Sequence, residues 1–352
     1  RSRNSSGGTL FSGMPPASSV AGTVNMVTKR ALGKPIAELT ASYASDSYAQ
    51  VHADLGKRFG PEQRLGLRFN GVYGSGDRGA EDEKQERRMG ALGLDYLGDA
   101  ARFSLDVYSS VNEIENGSPG MFSFLGNAAI PGVGVLLGPP AGDTNMFRGT
   151  RGRYDNEGLL ARAELDFSRD WQGYVAVGGS NSKGQGLMFG TRAIVTGLDG
   201  TTRGAIYHVD TRSERRTAEA GVIGRFETGA IRHRAQLSFN VLRVREGTNN
   251  TPCNYCYTTN MYDPVQPAFP DAPVWTGWES ARAATKYNFT SVAVADTMSF
   301  AGDRMLLTIG GRHQTVKAPY DGYSESRFSP MAAAVVRPWG DRVSLFGNYS
   351  EG

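Results

Sequence analysis

At 352 residues, with a formal charge of +3 and 21% charged side chains, the chain has room for one large domain or two smaller ones. Its charge is too evenly mixed to favour nucleic acid as a partner, and its 46 glycines follow no three-residue period, which excludes a collagen-like fibre. No window approaches the roughly 18 uninterrupted apolar residues of a transmembrane helix, a test that is blind to β-barrels.

The first stretch is rich in Gly, Ser and Pro (Ser5-Ser6-Gly7-Gly8 to Met14-Pro15-Pro16) and leads into a short β segment, Gly22-Thr23-Val24-Asn25-Met26-Val27-Thr28-Lys29-Arg30. From Pro35 onward, apolar and polar residues alternate. Leu39, Ala41 and Tyr43 stand against Glu38, Thr40 and Ser42, and Val51, Ala53 and Leu55 against His52 and Asp54. The pattern repeats with Leu65, Leu67, Phe69 and Tyr73; with Leu92, Leu94 and Tyr96; and with Phe103, Leu105 and Val107. It returns in Leu159 to Phe167, in Ala235 to Val241 and in Val343 to Tyr349. A sustained period of two predicts half-apolar β-strands. Two strands, near Val175 and near Val292, alternate less cleanly, and their facing stays open.

Turns alternate in length along the chain. Short polar turns are expected at 59–63, 97–99, 168–170, 227–229, 301–303 and 338–341, and long aromatic-rich connections at 112–154, 184–203 and 245–284. The mixed charge run from Asp77 to Arg88 reads as a solvated loop. Short turns at one end and long loops at the other match an outer-membrane barrel. The polar face mixes Arg, Asp and Gln with Gly, as a wet or plugged lumen would, and aromatics collect near strand ends (Tyr43, Phe59, Tyr73, Tyr96, Phe167, Phe226, Phe300, Tyr349) as interfacial girdles do. A large soluble sandwich is the alternative, and the loop asymmetry counts against it. About thirteen strands is an odd number for a bacterial barrel, and an open edge cannot lie in lipid, so the chain is expected to be part of a larger wall.

Cys253 and Cys256 lie in a Thr/Asn/Pro/Tyr-rich stretch, a poor context for a redox or zinc motif. A small loop disulfide in an oxidising compartment is favoured over two free thiols. His52, His208, His233 and His313 show no metal-ligand spacing, and no nucleophile elbow, catalytic triad or P-loop is apparent, so neither a metal site nor an enzyme is expected.

The stretch Ser12-Gly13-Met14-Pro15-Pro16 through Gly22 to Ala31 resembles the end of the plug domain of TonB-dependent outer-membrane receptors, in particular the ferric-siderophore branch. Pro140, Thr144-Asn145, Tyr154-Asp155 and Leu160 to Asp166 resemble its mid-barrel segment. Ala295 to Phe300, Arg327-Phe328-Ser329-Pro330 and Ser344 to Gly352 continue the likeness, which covers nearly the whole chain. Phe11-Ser12 and Ala17-Ser18-Ser19 depart from the family pattern. The resemblance implies residues 1–32 as the C-terminal end of a plug and 33–352 as the N-terminal part of a transmembrane antiparallel β-barrel of about 22 strands. It also implies the bacterial outer membrane, uptake of a ferric siderophore, energy from the TonB complex, and no cofactor beyond the iron inside the ligand. The coupling box and the first part of the plug are absent from the sequence.

A bulky polar iron chelate needs aromatic walls and hydrogen-bond donors. The long loops offer Phe122, Phe124, Arg148, Tyr154, Tyr255, Tyr257, Tyr262, Trp275 and Trp278, and the resemblance adds Ser12 and Met14 at the plug apex. For any one loop aromatic, packing of the loops themselves is the more common use. Lumen residues Arg68, Arg102, Arg162, Glu164 and Arg234 are expected to pair with one another or with the plug. An importer of cobalamin, haem or a glycan shares these features. A passive porin would lack the stretch before Pro35.

Overall fold

The computed structural model describes residues 27–117, 121–123, 137–146, 148–187, 192–265 and 271–351. The first strands are β1 (Ile36–Tyr43), β2 (Ala49–Phe59), β3 (Leu65–Asp77), β4 (Lys84–Leu97) and β5 (Ala101–Glu115). A short β6 (Met121–Ser123) precedes β7 (Arg151–Asp166), β8 (Trp171–Leu187) and another short strand, β9 (Arg192–Val195). Two very long strands follow, β10 (Thr201–Thr228) and β11 (Ile231–Asn260), then β12 (Ala283–Phe300), β13 (Met305–Ala318), β14 (Tyr323–Val336) and β15 (Leu345–Ser350). Leaving out β6 and β9, each strand pairs with the next in chain order, so the sheet is a continuous antiparallel meander. β6 and β9 form a short parallel pair beside β10.

One face of this sheet is apolar and exposed: Leu39 is 75% exposed, Leu55 47% and Leu237 53%. The two strands that the alternation left open now have a facing. Val175 and Val177 on β8, and Val292 and Val294 on β12, are exposed on the same side, while Tyr174, Ala176 and Ser291 are buried on the other. Aliphatic rows with no second layer over them among the described residues suit acyl tails, where apolar exposure carries no hydration cost. On β3 the outward residues run from Leu65 to Tyr73, about the 9–11 residues a tilted membrane strand needs.

The connections sort by end. Turns 60–64, 98–100, 167–170, 229–230, 301–304 and 337–344 lie at one end; at the other lie the turns 44–48, 78–83 and 319–322 and the strand ends Glu115, Arg151, Leu187, Thr201, Asn260 and Ala283, between which the three longest connections run. The tightest, 229–230, has Gly229 at φ 61°, the left-handed first position of a type II′ hairpin turn. Strands β10 and β11 have 28 and 30 residues against 11 for β2, so roughly two thirds of each stands above a membrane span of about ten residues. Their tops meet β9 and the chain after β11 in a small core of Val195, Ala205, Ile206, Val209 and Met261.

Two sequence expectations need correction. The long connection expected from 245 begins only after Asn260, because the Thr/Asn/Pro-rich run 248–260 pairs with β10. Beyond Thr248 no strand among the described residues pairs with its other side, so Pro252 removes no ladder hydrogen bond there. The charge run from Asp77 to Arg88 is a loop only at 78–83, its ends belonging to β3 and β4.

Candidate functional site

The lower lumen wall holds residues 28–31 by charge. Lys29 Nζ donates to Asp54 Oδ2 at 2.8 Å. Arg30 forks onto Asp106, with Nη2 to Oδ2 at 2.6 Å, and Thr28 Oγ1 reaches the same carboxylate at 3.2 Å. Wall arginines return the contact to the segment's backbone: Arg68 Nη1 donates to the Arg30 carbonyl at 3.2 Å and Arg58 Nη1 to that of Ala31 at 3.3 Å. Arg68 also clamps Asp54, and Arg58 pairs with Asp95 at 2.7 Å. All four of these side chains are less than a tenth exposed. Strand parity explains the convergence. Asp54, Arg68, Asp95 and Asp106 occupy inward positions of four consecutive strands, and each buried charge meets its opposite.

Further round the wall, Arg102 joins Glu164 and Asp166, and Arg162 joins Glu164 while stacking over the Tyr174 ring. The Tyr174 hydroxyl donates to Glu219 at 3.0 Å. Of the arginines expected to pair, Arg68, Arg102 and Arg162 do so, whereas Arg234 is exposed with no ion pair among the described residues.

Above this zone the inward wall changes character. Gln85 donates to Asn112 at 2.7 Å, Tyr108 lies over Gly158, and Tyr154 stands opposite both Asn112 and Gly184. Ser213 and Arg215 both donate to Glu246, each at 3.1 Å, and Thr211 meets Thr248. Arg87 is exposed beside Asn112. Phenols, amides, hydroxyls and the partly hydrated Arg215–Glu246 pair take the place of the buried salt bridges below, which gives a surface able to accept a polar guest.

The sequence-predicted contacts fall in several places. Tyr154 belongs to the upper lumen wall. Arg148 donates to Glu81 at 2.6 Å and, with Asn145 donating to the Glu81 and Asn116 carbonyls, stitches the 137–150 segment to the 78–83 loop. Asn116, in the left-handed region at φ 52°, completes the knot by donating to the Asp82 carbonyl and accepting from Gly149 N–H. Burial raises the carboxyl of Glu83 in that loop. Tyr257 is packed against Gly204, its phenol pushed up by burial, and Tyr262 donates to the Gly138 carbonyl at 2.9 Å.

Trp275 and Trp278 pack edge to face, over Arg212 and Arg245 respectively. Both rings lie on Gly247, which shares its sheet face with the outward Phe239 and Leu237. The two tryptophans therefore sit on the outer side of the projecting hairpin, away from Tyr154. For Phe122 and Tyr255 the backbone lies in β6 and β11, and Phe124, Ser12 and Met14 lie outside the described residues. Cys253 is disulfide-bonded. It stands opposite Ile206, and Tyr257 opposite Gly204, so 254–256 are extra chain facing Ala205, a bulge inside a strand where a loop was expected. No group of three metal-ligating side chains occurs among the described residues.

The family described as "TonB dependent receptor-like, beta-barrel" matches residues 103–352. The chain belongs to the TonB-dependent receptors. Within that family it is 28% identical to the ferrichrome receptor FcuA of Yersinia enterocolitica, over 96% of this chain and 44% of that protein. Among solved structures it resembles BauA, the ferric preacinetobactin receptor of Acinetobacter baumannii, with 31% identity and a TM-score of 0.82 over 98% of this chain and 51% of that one. The siderophore receptor PiuA of the same organism shares the fold at 17% identity, with a TM-score of 0.72 over 93% of this chain and 50% of that one. The chain thus spans about half the length of the relatives it matches, in keeping with an unclosed TonB-dependent receptor wall. The family places this wall in the outer membrane.

What sequence reasoning missed is the clasp. Lys29 and Arg30 were visible as a basic pair, and Asp54 and Asp106 as lumen-parity carboxylates; their partnership depends on register and on the path of the entering segment.

Proposed function

We propose that the protein carrying this chain takes up ferric siderophores across the outer membrane, energised through TonB. The observation that carries the reading is the division of the lumen. A lower zone of matched charges holds residues 28–31, and an upper zone of phenols, amides and an exposed arginine faces the long-loop end. Residues 1–32 are then the end of a plug and 33–352 the beginning of the barrel, with the upper zone as the ligand vestibule. Tyr154 and Arg87 supply an aromatic wall and a cation suited to anionic iron-chelating oxygens. Iron stays inside its chelator, and the barrel contributes no resident metal or cofactor. The likeness to FcuA and BauA, receptors for ferrichrome and for ferric preacinetobactin, supports an iron chelate over other scarce ligands.

The test is growth of a strain lacking the gene on single iron sources: hydroxamate, catecholate, mixed-ligand and citrate chelates, with haem and cobalamin as separate arms. Loss of growth on a ferric chelate, restored by the gene and abolished by a proton uncoupler, is the expected result. Dependence on haem or cobalamin alone, or on none of the sources, overturns the siderophore reading.

A further inference from the structure

The lipid-facing side of β10–β12 carries a hydrogen-bonded array that uptake through the lumen does not use. It lies at the short-turn end. Phe226 and His233 are cross-strand partners in a row that continues through Met298 and Leu307. The row above it is Gly224–Ala235–Asp296–Ile309–Ala332. Asp296 is thus a carboxylate set in an otherwise apolar row, on the same face as the exposed Leu237, Val294 and Ile309. Such a group loses hydration that lipid cannot replace, so it needs a polar partner and points to a function.

The partner is His233. Its Nδ1 lies 2.7 Å from Asp296 Oδ2, and its Nε2 lies 2.6 Å from Thr228 Oγ1. A carboxylate can only accept, which puts the imidazole proton on Nδ1 and leaves the Nε2 lone pair to accept the Thr228 O–H. Phe226 stacks flat on the ring, with centroids 4.7 Å apart and planes 3° from parallel, and so fixes its orientation. Asp296 Oδ1 is buried and has no hydrogen bond among the described residues. A network kept for stability alone is expected to use both oxygens.

Hydroxyl, imidazole and carboxylate in this order are the parts of an activated nucleophile. Thr228 is exposed and closes a two-residue hairpin turn with Ile231. The central N–H groups of that turn, on Gly229 and Ala230, donate to no backbone carbonyl among the described residues. One of them belongs to the residue directly after the hydroxyl, a position from which an oxyanion is commonly stabilised. No sequence motif announces the array, because its carboxylate is 63 residues from the histidine.

We propose that Thr228, His233 and Asp296 form an esterase site for the glycerophospholipids of the inner leaflet. The level suits that substrate. The short-turn end is the periplasmic one, and Phe226 and Phe300 mark its aromatic girdle, where the acyl chains give way to the headgroups. Acyl chains lie along Leu237, Val294 and Ile309 while the ester meets Thr228. The Thr228 oxygen bonds to the ester carbonyl carbon as its proton passes to His233 Nε2, and the carbonyl electron pair moves onto oxygen beside the Gly229 and Ala230 N–H groups. Collapse breaks the bond to the glycerol oxygen, which takes the proton from His233 and leaves as a lysophospholipid. Water, deprotonated by His233, then attacks the acyl-Thr228. The proton returns to the Thr228 oxygen as a fatty acid departs. Asp296 holds the imidazole tautomer and is a positioning residue.

The experiment uses the full-length receptor reconstituted in vesicles of phosphatidylethanolamine and phosphatidylglycerol, with fatty acid and lysophospholipid quantified by mass spectrometry. The wild type should release the two in equal amounts. Thr228→Val and His233→Gln should lose about a hundredfold or more of that rate, and Thr228→Ser should keep it. Asp296→Asn should lower kcat with KM unchanged, the mark of a wrong tautomer and not of lost packing. A contaminating lipase would act equally in the Thr228→Val preparation. Ferric-chelate binding in the same vesicles should be unchanged in every variant, which separates this site from uptake. A fluorophosphonate probe should label Thr228 in the wild type, as located by peptide mapping, a readout that needs no variant to fold. Wild-type vesicles without lipid turnover, an unlabelled Thr228, or turnover that survives Thr228→Val overturns the assignment.

Discussion

The lower and upper halves of the lumen wall are built from the same strands and the same alternation, yet they spend their polar groups differently. Below, Asp54, Arg68, Arg58 and Asp95 are nearly dry and pair as Asp54–Arg68 and Asp95–Arg58, and Asp54 and Asp106 also hold Lys29 and Arg30. Above, Glu246 and Arg215 remain partly in water and Arg87 is exposed. Burial makes the difference. A buried ion that loses its partner keeps its full desolvation cost, whereas a wet ion is rehydrated. The lower zone is therefore fixed by its own electrostatics, and the upper zone can exchange water for a guest.

The largest effect is expected where that contrast is sharpest. Asp54→Ala leaves Arg68 buried without its carboxylate and should cost about 3–5 kcal/mol. Lys29→Ala removes a side chain that is 57% exposed and should cost less than about 1 kcal/mol. Denaturant titration of the full-length receptor in vesicles, against wild type, gives both values. Near-equal losses would mean that the inner wall is wetter than its geometry indicates.

Tyr154→Ala addresses the other half. As part of the proposed vestibule it should weaken ferric-chelate binding about tenfold, or about 1.4 kcal/mol, with the unfolding midpoint unchanged. Fluorescence quenching titration measures the affinity. A loss of stability with unchanged affinity would make Tyr154 a packing residue.

How much of this was legible in the sequence follows from what each feature depends on. Alternation is local, so the facing of Leu39, Leu55 or Leu237 could be read directly, and the spacing of turns gave the two ends. Partnership is not local: Arg68 finds Asp54 across a hairpin because of register, and Arg30 reaches Asp106 only once the entering segment runs along the wall. The 248–260 run reads as loop by composition, and becomes strand because β10 offers it a continuous edge. Trp275 and Trp278 looked like vestibule aromatics because a loop without periodicity gives no indication of which face it folds over.

A smaller effect is expected for Glu246→Ala. It strips Ser213 and Arg215 of an acceptor that is 45% exposed, and water can replace it, so the cost should stay below about 1 kcal/mol. Compared with Asp54→Ala in the same assay, this isolates burial from charge. A loss as large as that of Asp54→Ala would erase the distinction between the two zones.

The smallest effect is a pair of opposite pH responses in the long-loop end. Burial raises Glu83, so the folded 78–83 loop prefers the neutral acid. Its closure is strongest below the ordinary carboxylate range and weakens as pH rises through the raised value. Asp199 accepts from the backbone N–H and the hydroxyl of Thr201, which lowers it; its turn is closed above the ordinary range and opens as pH falls through the depressed value. Amide exchange, corrected for intrinsic rates, should therefore show protection at Arg78 N–H, which donates to the Glu83 carbonyl at 2.8 Å, increasing on acidification. Protection at Thr201 N–H should decrease. Replacing Glu83 by Gln should hold the first response at its acid level, because the neutral side chain no longer titrates. Parallel responses at the two sites would mean that exchange there reports on the barrel as a whole rather than on either loop.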